Sequence, residues 1–383
     1  MSEIKIVINA EEKDLKINVF QDATLVEEYN EKMETKRLEG NIYLGKVTDI
    51  YKAMQSAFVD IGEDKNGLIH LKDIMPKQSP ITGNEKVDLD KFKISDYIKQ
   101  NENVIVQVKR DSAGTKGAKL TKDIKIIGEY VVLMPFSKFY TVSKKIDNVN
   151  EKNRIKEIVI NTLNKDVKTK NMGFIIRTSA ENQEKSIIEN EVNELITKFN
   201  LILEKASKNE GPCILYDNGG IVGKIITDFL PYNPIVETND SKIKEEIQKD
   251  YKNIKVNFTN NNIKQELKNK VWLKCGGYII IDHTEALIAI DVNSGKCTDK
   301  KNNNATVLEV NEEAAIEIAK QIRLRDLGGI IVIDFIDMDT DEDREKIKQI
   351  FIREAQKDRS KVQVVEFTKL GLLELTRKQI FKK

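Results

Sequence analysis

The amino-acid sequence predicts a multidomain protein of mixed α+β and α/β class, on three observations. The chain has 383 residues. That length exceeds the usual size of one hydrophobic core, so we expect two to four domains. Short β-rich runs fill residues 40–122, and a strand–helix–strand pattern occupies the C-terminal third. These two patterns indicate a small barrel and a parallel α/β sheet.

The N-terminal half has the spacing of short antiparallel strands. Ile4–Ala10 and Leu15–Phe20 alternate apolar and polar residues around a polar turn, which predicts a hairpin. Four further runs with strand character follow: Ile42–Ile50, Ala57–Ile61, Gly67–Leu71 and Val104–Val108. Their spacing predicts a small closed barrel of the OB type, with Pro76–Asp90 as a long barrel loop.

The middle of the chain alternates strands and helices. We expect strands at Tyr130–Met134 and Gly173–Arg177 and helices at Lys152–Leu163 and Glu184–Ala206. This pattern predicts a separate α+β domain. A strong turn follows at residues 218–220, and residues 240–262 are expected to begin as a helix and continue as a loop.

The C-terminal third carries the clearest pattern. Tyr278–Ile281 and Leu287–Val292 are apolar runs of strand length, and Ile330–Ile333 is a β-branched run. Between the last two, residues 306–309 form a capping box, an apolar stripe follows at Ala315, Ile318 and Ile322, and Leu327-Gly328-Gly329 is expected to end the helix. Strand, helix and strand predict a βαβ unit with two buried parallel strands.

Composition excludes several kinds of site. The three cysteines lie far apart in sequence and only two histidines are present, so a cysteine-built zinc site and a paired-histidine metal motif are not expected. Apolar runs fall short of the roughly 18–20 residues of a membrane helix, and the N-terminus lacks a signal-peptide pattern. We therefore expect a cytoplasmic protein without a membrane span. The net charge of +1 leaves a polyanionic partner undecided.

Each strand of the βαβ unit ends in an aspartate. Asp291 and Asn293 end the first strand and point to one face because side chains alternate along a strand. Asp334 ends the second strand, and a parallel neighbour would bring it close to Asp291. Two adjacent carboxylates favour a hard cation such as Mg²⁺, which suits phosphodiester hydrolysis. The alternative is that both aspartates only cap strand ends through backbone amides.

Two further groups suggest contact with a nucleic acid. Phe58 and Lys116 lie in the predicted barrel, and OB-type barrels stack bases on exposed aromatic rings. Arg177 and Thr178 end a predicted strand and together suit a terminal phosphate. The alternatives are that Phe58 belongs to the barrel core and that Arg177 makes a structural salt bridge.

These residues belong to motifs that occur together in one known family. The motifs are Ala57-Phe58-Val59-Asp60-Ile61-Gly62, Gly173–Thr178, Thr284-Glu285-Ala286-Leu287 with Ala289–Asn293, Arg323-Leu324-Arg325-Asp326-Leu327-Gly328-Gly329, and Ile331–Met338. In this order the chain resembles the ribonuclease E/G family from about Ile4 to Lys378. The two aspartate motifs, with the arginine motif between them, are the most specific part.

The resemblance implies a fold and an activity. It implies an RNase H-like subdomain at 1–39 with 219–270, an S1-type OB barrel at 40–122, a 5′-sensor domain at 123–218 and a DNase I-like catalytic subdomain at 271–383. The implied activity is endonucleolytic cleavage of single-stranded RNA in mRNA decay or rRNA processing. The implied ion is Mg²⁺, with Mn²⁺ as an alternative. Products would carry a 5′-phosphate and a 3′-hydroxyl, and a 5′-monophosphate would stimulate cleavage.

The resemblance also implies roles at the catalytic site. Asp291 and Asp334 correspond to the metal ligands, and Asn293 to the residue that assists at the scissile phosphate. Asp337 is a candidate residue for supporting the metal ligands without being a ligand itself.

Two RNA-binding groups are implied as well. Arg177 and Thr178 correspond to the pocket for the RNA 5′-phosphate, completed by backbone near Gly128 and Val132. The barrel residues implied to hold RNA are Phe58, Lys116 and Arg110.

Some positions depart from the family pattern. Leu68 stands where an aromatic residue can help Phe58 clamp a base, which predicts weaker stacking. The chain reaches Lys383 without the Cys-x-x-Cys zinc link, so we expect no zinc. A zinc-linked dimer or tetramer is not expected, while a homodimer stays open. Two alternative functions also stay open: a catalytically weak relative that binds RNA, and a metal-dependent nuclease that acts on DNA.

Overall fold

A computed structural model describes residues 3–75, 92–112, 115–251, 254–259, 267–297 and 303–381. The chain divides into two compact units, Met1–Glu34 with Ile235–Lys383 and Thr35–Pro234. In the described ranges, every helix is too short or too polar to cross a membrane. The four subdomain ranges implied by the family resemblance stay predictions.

The described secondary structure comprises strands and α-helices. The strands are β1 (Ile4–Glu11), β2 (Asp14–Gln21), β3 (Thr24–Lys32), β4 (Ile42–Tyr51), β5 (Ser56–Asp60), β6 (Gly67–His70), β7 (Asn103–Arg110), β8 (Lys119–Thr121), β9 (Ile126–Ile127), β10 (Val131–Met134), β11 (Tyr140–Val142), β12 (Gly173–Ile176), β13 (Cys213–Tyr216), β14 (Ile235–Thr238), β15 (Val256–Phe258), β16 (Lys270–Trp272), β17 (Tyr278–His283), β18 (Ile288–Asn293), β19 (Gly329–Asp334), β20 (Val362–Phe367) and β21 (Leu372–Arg377). The helices are α1 (Leu71–Ile74), α2 (Val149–Leu163), α3 (Lys185–Ser207), α4 (Gly220–Phe229), α5 (Ser241–Asp250), α6 (Asn303–Leu324) and α7 (Asp341–Ala355).

One sheet of the first unit has five strands in the order β15-β14-β1-β2-β3, of which three come from the N-terminal residues and two from residues 235–258. Strands β1, β2 and β3 are antiparallel, and β14 joins β1 in parallel. The hairpin predicted at the N-terminus is confirmed. Helix α5 confirms the helix expected at the start of the polar segment. Strands β3, β14 and β15 were not predicted. Strand β14 pairs with β1 from a distant part of the chain, and β15 is a three-residue strand in the segment that was expected to be a loop.

The second unit contains a closed barrel. Strands β4, β5, β6, β8 and β7 follow one another, and β7 pairs back onto β4, so the five strands close. Alternate residues, among them Val47, Val59, Ile69 and Leu120, fill the interior. The small barrel predicted from strand spacing is confirmed. The whole of its predicted long loop, Pro76–Asp90, lies outside the described residues.

The second unit also contains an α+β layer. Its sheet has the order β11-β12-β10-β9. The two predicted helices are present as α2 and α3, and they pack against the sheet through Ile155, Val159, Ile188 and Val192. Asn148 caps α2 by accepting hydrogen bonds from the amides of residues 150 and 151. This layer holds the strand end that carries Arg177.

The C-terminal sheet of the first unit has the order β16-β17-β18-β19-β21-β20. Only β18 and β19 are parallel, and α6 connects them, which confirms the predicted βαβ unit. The predicted stripe Ala315, Ile318 and Ile322 is buried against the sheet. Helix α7 adds Ile347 and Phe351 to the same core. One face of this sheet is therefore covered by helices.

Both predicted ends of α6 are wrong. The helix begins at Asn303, so Thr306 lies inside it and is buried rather than acting as a cap. Burial of the Thr306 side chain inside the helix outweighs the preference of threonine for a cap position. The helix ends at Leu324, and the left-handed residue that follows is Asp326 (φ 49°) instead of a glycine. Asp326 tolerates this conformation because its carboxylate is fixed by Arg377 and two backbone amides.

Candidate active site and nucleic-acid interfaces

The face of the C-terminal sheet opposite the helices carries the two aspartates. On β18, Ile290 and Val292 point into the core, so Asp291 and Asn293 point to the other side, here called the open face. The register of β18 with β19 places Asp291 directly beside Asp334. Neighbouring strands are about 4.8 Å apart. The predicted adjacency of the two aspartates is therefore confirmed, while their chemical role stays a proposal.

The two carboxylates influence each other. Partial burial raises the pKa of Asp334, and the charges of Asp291 and Asp337 raise it further. Asn293 donates from Nδ2 to Asp291 Oδ2 at 2.6 Å. Within the described ranges, no backbone amide donates to either aspartate. This arrangement does not support the alternative that both residues merely cap strand ends.

The donor set fits a magnesium-type ion. Within the described part of the chain, no group of three or more histidine, cysteine or acidic residues could hold a metal. Mg²⁺ commonly takes only one or two protein carboxylates and completes its shell with water and substrate phosphate oxygens. After burial, repulsion by Asp291 and Asp337 is the second cause of the raised pKa of Asp334, and a cation would relieve that repulsion. Asp291 and Asp334 therefore suit a site that substrate completes.

A buried asparagine supports the segment after Asp334. Asn311 on α6 donates from Nδ2 to the Ile336 carbonyl at 2.8 Å and accepts from the Ile336 amide at 3.1 Å. These bonds fix the chain between Asp334 and Asp337. Sequence analysis missed Asn311. The only available signal was a polar residue next to the apolar stripe of a helix.

The predicted phosphate-binding residues lie together in the second unit. Arg177 follows β12 and donates from Nη1 to the Gly128 carbonyl at 2.6 Å, and its amide donates to the Tyr130 carbonyl. Val132 on β10 pairs with the strand that carries Arg177. The hydroxyl of Thr178 lies 2.7 Å from that of Ser143, which sequence analysis missed. Burial lowers the pKa of Arg177, although nearby acidic groups oppose this effect.

Glu191 on α3 holds the loop that leads from Gly128 into β10. Its carboxylate accepts hydrogen bonds from the amides of Glu129, Tyr130 and Val131 at 2.5, 2.8 and 2.8 Å. Burial raises the pKa of Glu191 to about 7, although the three amides act in the opposite direction. The carboxylate lies about 60 positions from the loop in sequence, so no local pattern could reveal it.

A row of side chains crosses the barrel surface. Phe58 pairs with Leu68, Leu68 with Lys119, and Lys119 with Arg110. Directly opposite residues on paired strands share a face, and the alternating positions fill the core. Phe58 is half-buried, so the alternative that it belongs to the barrel core is not supported.

Two residues extend this row beyond the predicted set. The exposed ring of Tyr51 lies edge-on to Phe58, with centroids 5.4 Å apart. Lys119 adds a cation and contacts Asp73 at 3.4 Å. The predicted Lys116 is exposed three positions before Lys119, outside the paired row. Tyr51 lies at the far end of β4, where its proximity to Phe58 depends on strand register.

Two family models match this chain. A model of the S1 RNA binding domain matches residues 37–122, and a model of the ribonuclease E/G family matches residues 125–380. Ribonuclease G of Escherichia coli (strain K12) is 33% identical over 98% of this chain and 80% of its own. Ribonuclease G of Haemophilus influenzae is also 33% identical, over 99% of this chain and 80% of its own. Ribonuclease E of Synechocystis sp. (strain PCC 6803) is 34% identical over 89% of this chain and 52% of its own.

The barrel, matched by the S1 model, defines an S1-domain protein of the RNA-binding class. The chain belongs to the ribonuclease E/G family, as its motifs predict. All candidate residues fall within the two matched ranges.

Proposed function

We propose that this protein is an endoribonuclease that cuts single-stranded RNA in mRNA decay or rRNA processing, with Asp291 and Asp334 as its metal ligands. The observation that carries the proposal is the parallel register that sets these aspartates side by side on the open face. Membership in the ribonuclease E/G family supports it, because the matched relatives are ribonucleases by name.

The residues of the open face have distinct roles in the proposed reaction. Asp291 and Asp334 would hold a divalent cation, Mg²⁺ or alternatively Mn²⁺, and the chemistry that it would supply is to offset charge on the scissile phosphate and to activate a water molecule. Asn293 orients Asp291 through its Nδ2 hydrogen bond and keeps a second N–H for a phosphate oxygen. Asp337 adds negative potential that favours the cation. The products carry a 5′-phosphate and a 3′-hydroxyl.

The second unit would hold the RNA strand. Bases stack on Phe58 and Tyr51, while Arg110, Lys116 and Lys119 contact the phosphates. In the α+β layer, Arg177 and Thr178 would bind a 5′-monophosphate.

Metal-dependent cleavage tests the proposed function. We expect the purified protein to cut a 5′-monophosphorylated single-stranded RNA with Mg²⁺, to lose this activity in EDTA and to regain it when Mg²⁺ is restored. Sequencing of the products would map the cuts and show 5′-phosphate ends. A DNA strand of the same sequence should remain uncut, because an RNA-specific protein reads the 2′-hydroxyl. RNA binding without cleavage would favour the alternative that the protein is a catalytically weak RNA-binding relative. Equal cleavage of DNA would favour the alternative that it is a metal-dependent nuclease acting on DNA.

A second test concerns the 5′-phosphate pocket. We expect Arg177→Ala to remove the preference for 5′-monophosphorylated over 5′-triphosphorylated RNA. Charge-assisted hydrogen bonds contribute about 1.5–3 kcal/mol, so the monophosphorylated substrate should be cut about 10- to 100-fold more slowly. Initial rates on the two substrates would measure this effect. Arg154→Ala, which removes an arginine of the same α+β layer, is the matched control. Equal wild-type rates on both substrates would refute the sensor assignment.

A further inference from the structure

We propose that Trp272 and Tyr278 form a stacking platform for an unpaired base of the substrate RNA, next to the scissile phosphate. This inference rests on the proposed function and concerns residues that hold the strand beside Asn293. It adds an aromatic contact in the catalytic unit to those of the barrel.

Strand register places the two rings beside the candidate active site. Trp272 on β16 pairs with Tyr278 on β17, and Tyr278 pairs with Asn293 on β18. Residues directly opposite each other on paired strands project to the same side of a sheet. Trp272 and Tyr278 therefore lie on the open face with Asp291 and Asn293. Two strand spacings, about 10 Å, separate the Trp272 and Asn293 positions.

The rings form a defined pair with a cation over them. Their centroids are 5.2 Å apart with an interplanar angle of 62°. The Lys270 ammonium lies 4.3 Å from the Trp272 centroid and 3.5 Å from the Tyr278 centroid. Trp272 nevertheless remains 56% exposed. A large aromatic surface in water gains free energy when another flat apolar group covers it.

The turn after Asn293 fits closely around Tyr278. The Lys296 amide donates to the Gly276 carbonyl at 3.1 Å, which closes the turn onto the start of β17. Gly295 has φ +57°, and a Cβ there would lie 2.4 Å from the Gly276 carbonyl oxygen and 3.3 Å from Tyr278 Cδ1. A side chain at position 295 is therefore excluded. The edge of the Tyr278 ring thus borders the backbone that leads away from Asn293.

An unpaired RNA base is the occupant that matches these observations. The platform is continuous with the carboxylate pair, so a strand whose phosphate lies at that pair passes it. Stacking on aromatic side chains is the usual way to hold single-stranded nucleic acid and contributes about 1–3 kcal/mol per base. Lys270 supplies a positive charge next to the rings, which suits a neighbouring phosphate. Bases of a duplex are already stacked and cannot use the platform.

Tryptophan fluorescence tests the platform directly, because Trp272 is the only tryptophan of the chain. Single-stranded RNA would be titrated in EDTA, where no cleavage is expected, while the anisotropy of labelled RNA measures binding. We expect fluorescence to be quenched along the same curve as binding. Duplex RNA of the same sequence should leave the fluorescence unchanged.

Cleavage kinetics provide the second readout. Trp272→Ala should lower kcat/KM about 5- to 100-fold, as expected for one lost stacking contact. Trp272→Phe should restore most of the rate, and Phe258→Ala, which removes an equally exposed ring on β15, should have no effect. Substrates with a single abasic nucleotide locate the contact. An abasic nucleotide at one position beside the cut should slow cleavage by the wild type and leave the rate of Trp272→Ala unchanged.

The outcomes separate this inference from the proposed function. Metal-dependent cleavage without fluorescence quenching at saturating RNA would overturn the platform and leave the nuclease standing. Equal cleavage rates for Trp272→Ala and Phe258→Ala would likewise overturn the platform and leave the nuclease standing. Quenching by single-stranded RNA in a protein that never cuts it would support the platform and overturn the nuclease. Equal quenching by duplex RNA would also refute base stacking.

Discussion

We expect Asp334→Asn to lower the rate of RNA cleavage at least about 10³-fold while RNA binding is retained. The variant keeps the shape of the side chain but removes one of two negative charges that would hold the cation beside Asp291. Metal ions contribute several kcal/mol of transition-state stabilisation, and each 1.36 kcal/mol corresponds to a factor of ten. Single-turnover cleavage and RNA anisotropy measure the two properties separately.

The stability of this variant is an internal control. Partial burial and the charges of Asp291 and Asp337 raise the pKa of Asp334, so the folded state gains nothing from the Asp334 charge in the absence of a cation. Asp334→Asn should therefore unfold at the same temperature as the wild type in EDTA, or at a higher one. Mg²⁺ should stabilise the wild type more than the variant.

A second carboxylate serves as the matched control. Glu366→Gln changes an exposed acidic residue on β20, at the far edge of the same sheet, and should retain full activity. Asp291→Asn should reproduce the loss seen with Asp334→Asn. Near-normal cleavage by either aspartate variant would show that the pair does not hold a catalytic ion.

Local sequence patterns were sufficient to place the aspartate pair. Tyr278–Ile281, Leu287–Val292 and Ile330–Ile333 are apolar runs, and the spacing in the intervening helix identifies the crossover. Once a βαβ unit is recognised, its parallel strands must end at one edge. Such short-range regularity makes the positions of Asp291 and Asp334 predictable.

Contacts between distant segments were not predictable in the same way. Strand β16 has three residues, so the pairing of Trp272 with Tyr278 depends on a register that no local pattern encodes. The Glu191 and Asn311 contacts likewise join a helix to a loop far away in sequence. Supporting residues of this kind become visible only when tertiary packing is known.

The arginine motif of the family resemblance, residues 323–329, is explained by the structural contacts of its side chains rather than by a part in catalysis. Arg323 contacts Glu27 on β3, and Arg325 donates to the Lys268 carbonyl at 2.6 Å. Asp326 accepts hydrogen bonds from Arg377 and from the amides of Ile380 and Phe381. The motif thus anchors the C-terminal end of α6 to several segments of its own unit.

The contact of this motif with Glu27 predicts a large effect on stability. The Glu27 side chain is fully buried, and its carboxylate binds Arg359 at 3.0 Å and Arg323 at 3.4 Å and accepts from the Tyr29 hydroxyl at 2.8 Å. We expect Glu27→Ala to lower the free energy of unfolding of the first unit by about 3–5 kcal/mol, because two guanidinium groups would remain without their carboxylate. Trp272 lies in the same unit as Glu27, so denaturant unfolding followed by Trp272 fluorescence would measure this loss.

Glu237→Ala provides the comparison, since Glu237 lies in the same sheet and pairs with Lys5 near the surface. Its loss should cost only about 0.2–1 kcal/mol. Equal losses for the two variants would show that burial does not strengthen the Glu27 contacts. Because α6 joins the strand of Asp291 to that of Asp334, loosening of its C-terminal anchor should also disturb their adjacency. Cleavage by Glu27→Ala should therefore decline at a lower temperature than cleavage by Glu237→Ala.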